Sequence, residues 1–409
     1  MSINTKLHAA LLIFGVLAGP ASAQVAVHGE TVYTMAGEPI KDAVVVIRKG
    51  KIAAIGKAGD VAIPKGFRVL RAKVVTPGLV DAHSVVGLAG ILNYNHDQDQ
   101  LERSNPVQPQ LRAIDAYNSS EELIAWVRSF GVTTLHTGHG PGELISGQTM
   151  IVKTVGNTID DALIAPSAAV AATISPLAEK SGADSPGTRG KMIAMLRAEF
   201  LKAQEYRQKQ QAAKKDKDAD PPSRDLKLEA LTQVLDGKLK LMVTADRAQD
   251  IASALRLAKE FDIDLWLDGA AESYLLIDDI KRAGVPVLIH PTMVRAVGEK
   301  ENMSFETASK LVKAGIPVAL QSGFESYVPK TRVVLFEAGM AAANGLTFEQ
   351  ALATITIDAA RILGIDNRVG SLAVGKDGDV ALYNGDPFEY TTHCIGVVIN
   401  GEVVSETVR

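Results

Sequence analysis

Between residues 238 and 322 the chain alternates short apolar runs with stretches of helical spacing, and this alternation constrains the fold more than any other feature. LKLMVTAD, DIDLWLDG, GVPVLIHP and AGIPVALQSG are runs of strand length, separated by segments such as AQDIASALRLAKEF. Within that segment Ile251, Ala254, Leu255 and Ala258 recur at spacings of three and four, the period of an amphipathic helix. The pattern predicts β-α-β-α-β-α-β. Repeated βα units imply right-handed crossovers and a parallel sheet. Similar alternation extends from about Val74 to Ile365, which favours an α/β fold with a closed (β/α)8 TIM-type barrel over an open sheet.

The two ends read differently. VAVHGETVYT, AVVVIRKGKIAAIG and FRVLRAKVV are short, Val- and Ile-rich β segments, with Arg48-Lys49-Gly50-Lys51 a polar turn. DVALYNGDP and IGVVINGEVV repeat that character near the C-terminus, with Asn400-Gly401 a strong hairpin signal. A small β-sandwich built from residues 24–75 and 366–409 is expected beside a barrel over 76–365. The charged stretch 198–228 ends at Pro221-Pro222 and interleaves Lys209, Lys214, Lys215 and Lys217 with Glu205, Asp216, Asp218 and Asp220. It reads as a solvated helix entering an exposed loop rather than as an anionic-partner patch.

Residues 1–23 have the form of a cleaved export signal. Lys6 precedes an apolar run from Leu7 to Gly19, and Ala21-Ser22-Ala23 supplies the small-x-small cleavage site. A periplasmic or secreted protein with no membrane span after cleavage is expected. The formal charge of −4, or −5 without Lys6, gives no reason to expect nucleic acid as a partner. Cys394 is the single cysteine and excludes an internal disulfide. Its apolar context, THCIGVVI, reads as packing.

Pro77-Gly78-Leu79-Val80-Asp81-Ala82-His83 lies where the first β segments give way to the barrel. It resembles the PG-hydrophobic-hydrophobic-D-x-H signature of the amidohydrolase superfamily, specifically its imidazolonepropionase-like branch. GVTTLHTG, AGIPVALQSG and TIDAARILGIDNRVGSLAVGKDGDVALYNGDP carry the same resemblance, over nearly all of residues 25–405. It implies hydrolysis of amide, cyclic amide or ester bonds by one or two divalent metals at the barrel mouth. The implied ligands are a His-x-His pair after the first strand, histidines after the fifth and sixth, and an aspartate after the eighth, often with a bridging lysine.

Against that set the sequence departs almost everywhere. His83 is followed at i+2 by Val85; Thr244 or Asp246 stands at the fifth-strand position, Gly269 at the sixth, and Gly323 in place of the aspartate. His83 remains, Asp246 can coordinate, and Lys153 is a candidate for the bridging position. One protein ligand does not hold a divalent ion against water, and catalytic zinc usually takes three. No tightly bound cofactor is therefore expected. The alternative is one divalent metal, zinc, at a relocated site drawing on His83, His136, His139, His290, Asp246 and Asp268, since these follow strands expected to open on one face. Otherwise these histidines are mouth residues bonded to backbone. Ser146 and Ser322 lack a nucleophile elbow. Glu272 and Glu325 read as solvated loop residues, with acid and base of a metal-free hydrolysis as the alternative, and His28 and His96 read as surface residues.

Two functions follow. One is a non-catalytic protein of this fold that binds a small molecule at the barrel mouth or serves as partner subunit to an active amidohydrolase, with oligomer formation expected. The other is a hydrolase of non-peptide C–N bonds working through a reduced or rearranged metal site.

Overall fold

The computed structural model describes residues 24–92, 94–182, 185–216 and 220–409. The export signal read in residues 1–23 lies outside the described residues. No helix among the described residues is long and apolar enough to cross a membrane.

The N-terminal strands are β1 (Gln24–Val32), β2 (Ile40–Arg48), β3 (Lys51–Lys57) and β4 (Arg68–Pro77). The barrel region contributes β5 (Leu79–Ser84), β6 (Val132–Thr137), β7 (Ile145–Gln148), β8 (Met150–Lys153), β9 (Leu163–Ala165) and β10 (Ala169–Thr173). It continues with β11 (Lys240–Ala245), β12 (Leu265–Gly269), β13 (Val287–Ile289) and β14 (Val318–Leu320). The C-terminal strands are β15 (Val380–Tyr383), β16 (Cys394–Ile399) and β17 (Glu402–Ser405).

Both chain ends enter one seven-stranded sheet in the order β17-β16-β15-β4-β1-β2-β3. The join is β15 against β4, antiparallel, with Val380 opposite Pro77. Asn400 and Gly401 both take positive φ between the antiparallel strands β16 and β17, as the hairpin reading requires.

The remaining strands form a TIM-barrel-like α/β fold from two mixed sheets, β14-β13-β12-β11-β10-β7 and β5-β6-β8-β9. Strands β10 to β14 are parallel, and helices Ala248–Phe261, Ile277–Ala283 and Thr307–Lys313 lie between β11, β12, β13 and β14 as the spacing predicts. Ser84 bridges Gly323 at one junction of the two sheets, and Thr149 exchanges backbone bonds with Ala168 and Ala169 at the other. The uniform βα alternation fails between residues 138 and 165. There β7 and β8 run antiparallel to β10 and β6, so the chain doubles back instead of crossing over through a helix.

The charged segment forms a helix, Arg189–Lys215, that buries Met192, Leu196, Phe200, Ala203 and Tyr206 along one face. That stripe docks it on the barrel and leaves its charges outward. Cys394 is buried in β16, and burial pushes its thiol up to about 11.

Candidate functional site

All six residues of β5 are buried, and the two-residue strand period puts Asp81 and His83 on one side. His83 Nδ1 donates to Asp268 Oδ1 at 2.9 Å. Asp268 stands on β12 directly opposite Thr244 of β11, whose hydroxyl donates to Oδ2 at 2.6 Å. Gln321, just beyond β14, donates from Nε2 to Oδ1 at 2.6 Å. One carboxylate thus ties together the ends of four strands. Burial works to raise Asp268, but His83, Thr244 and Gln321 overcome it and hold the carboxyl at about 2. Burial likewise works against a charged His83, and Asp268 overcomes it, so the imidazole pKa is raised. Both shifts favour the charged forms of the two partners. Among the described residues His83 Nε2 has no hydrogen-bond partner.

Around this pair the neighbouring polar side chains are engaged by one another. Asp81 accepts from the Ser322 hydroxyl and from Ser322 N at 3.0 Å; Thr331 in turn donates to Ser322 Oγ at 2.6 Å. Burial pushes Asp81 up to about 6, and the Ser322 bonds offset part of it. Gly323 has φ +65°, and a Cβ there would lie 2.5–2.6 Å from three atoms of the His290 ring. The ring therefore occupies the space an aspartate side chain would need. Its Nε2 lies 3.6 Å from Glu325, which pairs with Arg332 at 2.5 Å. Gly269 has φ +75°, and a Cβ there would sit 2.9 Å from Asp246 Oδ1. Asp246 is raised by burial, with the Lys300 ammonium 3.5 Å away on the loop after β13. A side chain at 269 would therefore require the Asp246 carboxylate to shift.

His136 and His139 sit close enough to His83 to feel its charge, but they differ in whether their ring nitrogens are engaged. His136 Nδ1 donates to Ala82 O at 2.6 Å, and Nε2 accepts from the Thr149 hydroxyl at 2.7 Å. The carbonyl can only accept, which assigns the tautomer. Burial and His83 push its pKa down to about 3, so it is a satisfied neutral core residue. His139 is buried against Gly147 with both ring nitrogens unpartnered, and burial pushes it down to about 4. The main-chain carbonyl of Leu111 works weakly the other way, although it is outside hydrogen-bond geometry.

Lys153 does not stand at the mouth, which corrects the bridging-lysine expectation. Because β8 runs antiparallel to β6, Lys153 pairs with Thr134 near the start of β6 and lies toward the opposite end. There its ammonium is buried between Asp377 at 2.7 Å and Asp379 at 2.9 Å and also donates to Asn400. Val85 is a buried apolar residue. Glu272 is also corrected: it is buried and accepts from Ala248 N and Asn302 at 2.7 and 2.9 Å. Glu325 is half-buried and ion-paired rather than solvated. His28 bonds both Asp42 and Arg71 at the surface of the seven-stranded sheet, and His96 stacks on Tyr94. Sequence reasoning missed Gln321, Thr331 and Lys300; Gln321 carried one signal, its place two residues before Gly323 at the end of a predicted strand.

The fold is of the TIM-barrel-like α/β class. The Amidohydrolase family model matches residues 215–405. An imidazolonepropionase of Porphyromonas gingivalis is 24% identical over 407 residues, covering 90% of this chain and 88% of that protein. An amidohydrolase of Hapsidospora irregularis is 22% identical over 354 residues and 80% of this chain, which spans only 36% of that protein. The crystal structure of an amidohydrolase from Thermotoga maritima superposes with a TM-score of 0.87 at 26% identity, covering 94% of this chain and all of that one. These matches support the amidohydrolase superfamily, and within it the imidazolonepropionase-like branch, as the family this chain resembles.

Amidohydrolases usually bind a divalent metal, and the donors present here do not fit one. Among the described residues no group of three or more His, Cys, Asp and Glu side chains could hold an ion. Among the described residues His83 offers Nε2 and His139 both ring nitrogens, but both nitrogens of His136 are engaged and Asp268 already accepts three hydrogen bonds, so no third ligand joins them. The relocated set drawn from the sequence is therefore not brought together as a ligand cage.

Proposed function

We propose that this chain is an exported, non-catalytic amidohydrolase-fold protein that binds a small molecule at the barrel mouth or serves as the partner subunit of an active amidohydrolase. The observation that carries the reading is the His83–Asp268–Thr244–Gln321 cluster, in which the carboxylate is saturated by the protein. A water-activating site needs an open coordination position or a free base beside its ligands. Here the aspartate position is Gly323, covered by the His290 ring. The same reading takes the seven-stranded sheet as a small sandwich domain, 24–75 and 366–409, beside a closed (β/α)8 barrel over 76–365. It takes residues 1–23 as an export signal, which puts the protein in the periplasm or outside the cell. The test is hydrolysis of a panel of amides, cyclic amides and esters, with and without added zinc. No turnover above background is expected; zinc-dependent turnover lost on His83→Gln overturns the reading.

A second reading is favoured by one observation, the unpartnered Nε2 of His83 with Asp268 orienting the ring. A base held by a carboxylate is the arrangement that activates water in metal-free hydrolysis. Metal-independent turnover of a C–N bond, abolished equally by His83→Gln and Asp268→Asn, would select it.

A further inference from the structure

Three side chains from distant parts of the chain meet where the barrel region adjoins the seven-stranded sheet. Lys153 ends β8, Asp379 precedes β15, and Asn400 sits in the turn between β16 and β17. Lys153 donates to the side-chain oxygen Oδ1 of Asn400, 247 residues away in sequence. Its nitrogen also lies 2.9 Å from Asp379 Oδ2, which accepts no other bond among the described residues. Lys153 and Asp379 are only 3% and 4% exposed, whereas Asn400 is exposed and lines a surface pocket of about 650 Å³.

The backbone holds this arrangement in place. Asn400 N donates to Asp379 Oδ1 at 2.8 Å, and Gly401 N to Gly378 O at 3.0 Å. Gly378 N donates to Gly50 O at 2.8 Å, and a Cβ at Gly378 would lie 2.3 Å from Ile47. The hairpin tip cannot leave the lysine without breaking these bonds. The second carboxylate, Asp377, lies 2.7 Å from Lys153 but also pairs with Lys51 at 2.5 Å and Arg368 at 3.0 Å. Those two cations keep Asp377 paired when the Lys153 charge is lost.

We propose that Lys153 and Asn400 join in an intramolecular isopeptide bond, with Asp379 as the acid–base group. In water the proton stays on the amine; in a buried pair both charges lose hydration, which draws the proton toward the carboxylate. Burial raises the Asp379 pKa in that sense, against the pull of Lys153. The neutral amine attacks Cγ of Asn400 while the Asp379 carboxyl proton supports the charge growing on Oδ1. The bond from Cγ to Nδ2 breaks, and the second amine proton goes to the departing nitrogen. Ammonia leaves through the surface pocket and takes up the proton that Asp379 held. An alkylammonium and a carboxamide thus become a secondary amide and an ammonium ion, with no oxidant or co-reactant. Contact within one folded chain supplies the proximity that such an attack lacks in solution. The single cysteine allows no internal disulfide, and this bond ties the barrel region to the sheet instead.

Peptide mapping of the folded full chain by mass spectrometry tests it. Trypsin should release residues 129–180, uncut at Lys153, joined to residues 377–409. The branched product should be lighter than its two parts by about 17 Da, the mass of ammonia. Asn400→Gly keeps the positive φ without strain, so it folds and should give the same peptides unlinked, with Lys153 cut normally. Asp379→Asn, which removes the proton acceptor, should likewise give them unlinked. A succinimide at Asn400-Gly401 also loses ammonia, but it joins no second peptide. An unlinked Lys153 with Asn400 intact, deamidated or cyclised overturns the proposal. So does a branch that persists in Asn400→Gly, and one that persists in Asp379→Asn removes Asp379 from the reaction.

Discussion

Replacing Gly323 probes why the family aspartate is missing. Gly323→Ala forces an L-residue into φ +65° and sets a Cβ 2.5–2.6 Å from the His290 ring. The backbone term costs about 1–2 kcal/mol, and overpacking of a tight site about 1–3 kcal/mol. Urea unfolding followed by tryptophan fluorescence should therefore show a loss of about 2–5 kcal/mol. The steric part has a specific signature. In the background of His290→Ala the ring is gone, so the Gly323→Ala penalty should fall to the backbone term alone. The two changes should couple by roughly 1–3 kcal/mol in a double-mutant cycle. Gly323→Asp should be at least as destabilising as Gly323→Ala and acquire no metal. Additive effects, or a Gly323→Asp protein as stable as the parent, would refute the argument that the His290 ring fills the aspartate's place.

Lys153→Met leaves Asp377 and Asp379 buried without their shared cation, and a loss of about 3–5 kcal/mol in urea unfolding is expected. Stability should also fall as pH drops below about 6.5. His136 and His139 are held neutral in the folded state, to about 3 and about 4, while the unfolded chain takes up protons at the ordinary histidine pKa. The loss accumulates until pH reaches those folded values, and His139→Gln should reduce the difference between midpoints at pH 7 and pH 5. Asp81 works oppositely, because its folded pKa of about 6 means that the folded state binds the extra proton between about pH 6 and 4. Asp81→Asn should therefore steepen the acid loss in that window. Val85→His should restore neither zinc binding nor amide hydrolysis, since it adds one ligand to a set that still lacks the residues at 269 and 323.

The barrel half from 238 to 322 was legible because its strands and helices have distinct apolar periods, and the pairing of the two chain ends was legible from matching β character. Strand direction was not. ISGQ and MIVK are four-residue strands with no flanking helix to orient them, so Lys153 was expected at the mouth and stands at the other end. The departures at Val85, Gly269 and Gly323 were plain in the sequence; their physical partners were not. Gly323 meets a ring 33 positions earlier, and Gly269 meets the carboxylate of Asp246. Spacing cannot tell an available imidazole from a satisfied one, which is why His136 joined the candidate ligands although Ala82 and Thr149 engage both its nitrogens.

Zinc content of the folded protein tests the central claim most directly. The chain, purified without chelators, incubated with excess zinc and dialysed, is analysed for metal per polypeptide. Well under one equivalent is expected, because among the described residues no group of three or more His, Cys, Asp and Glu side chains could hold an ion. One or more equivalents retained, and lost on His83→Gln, would contradict the account.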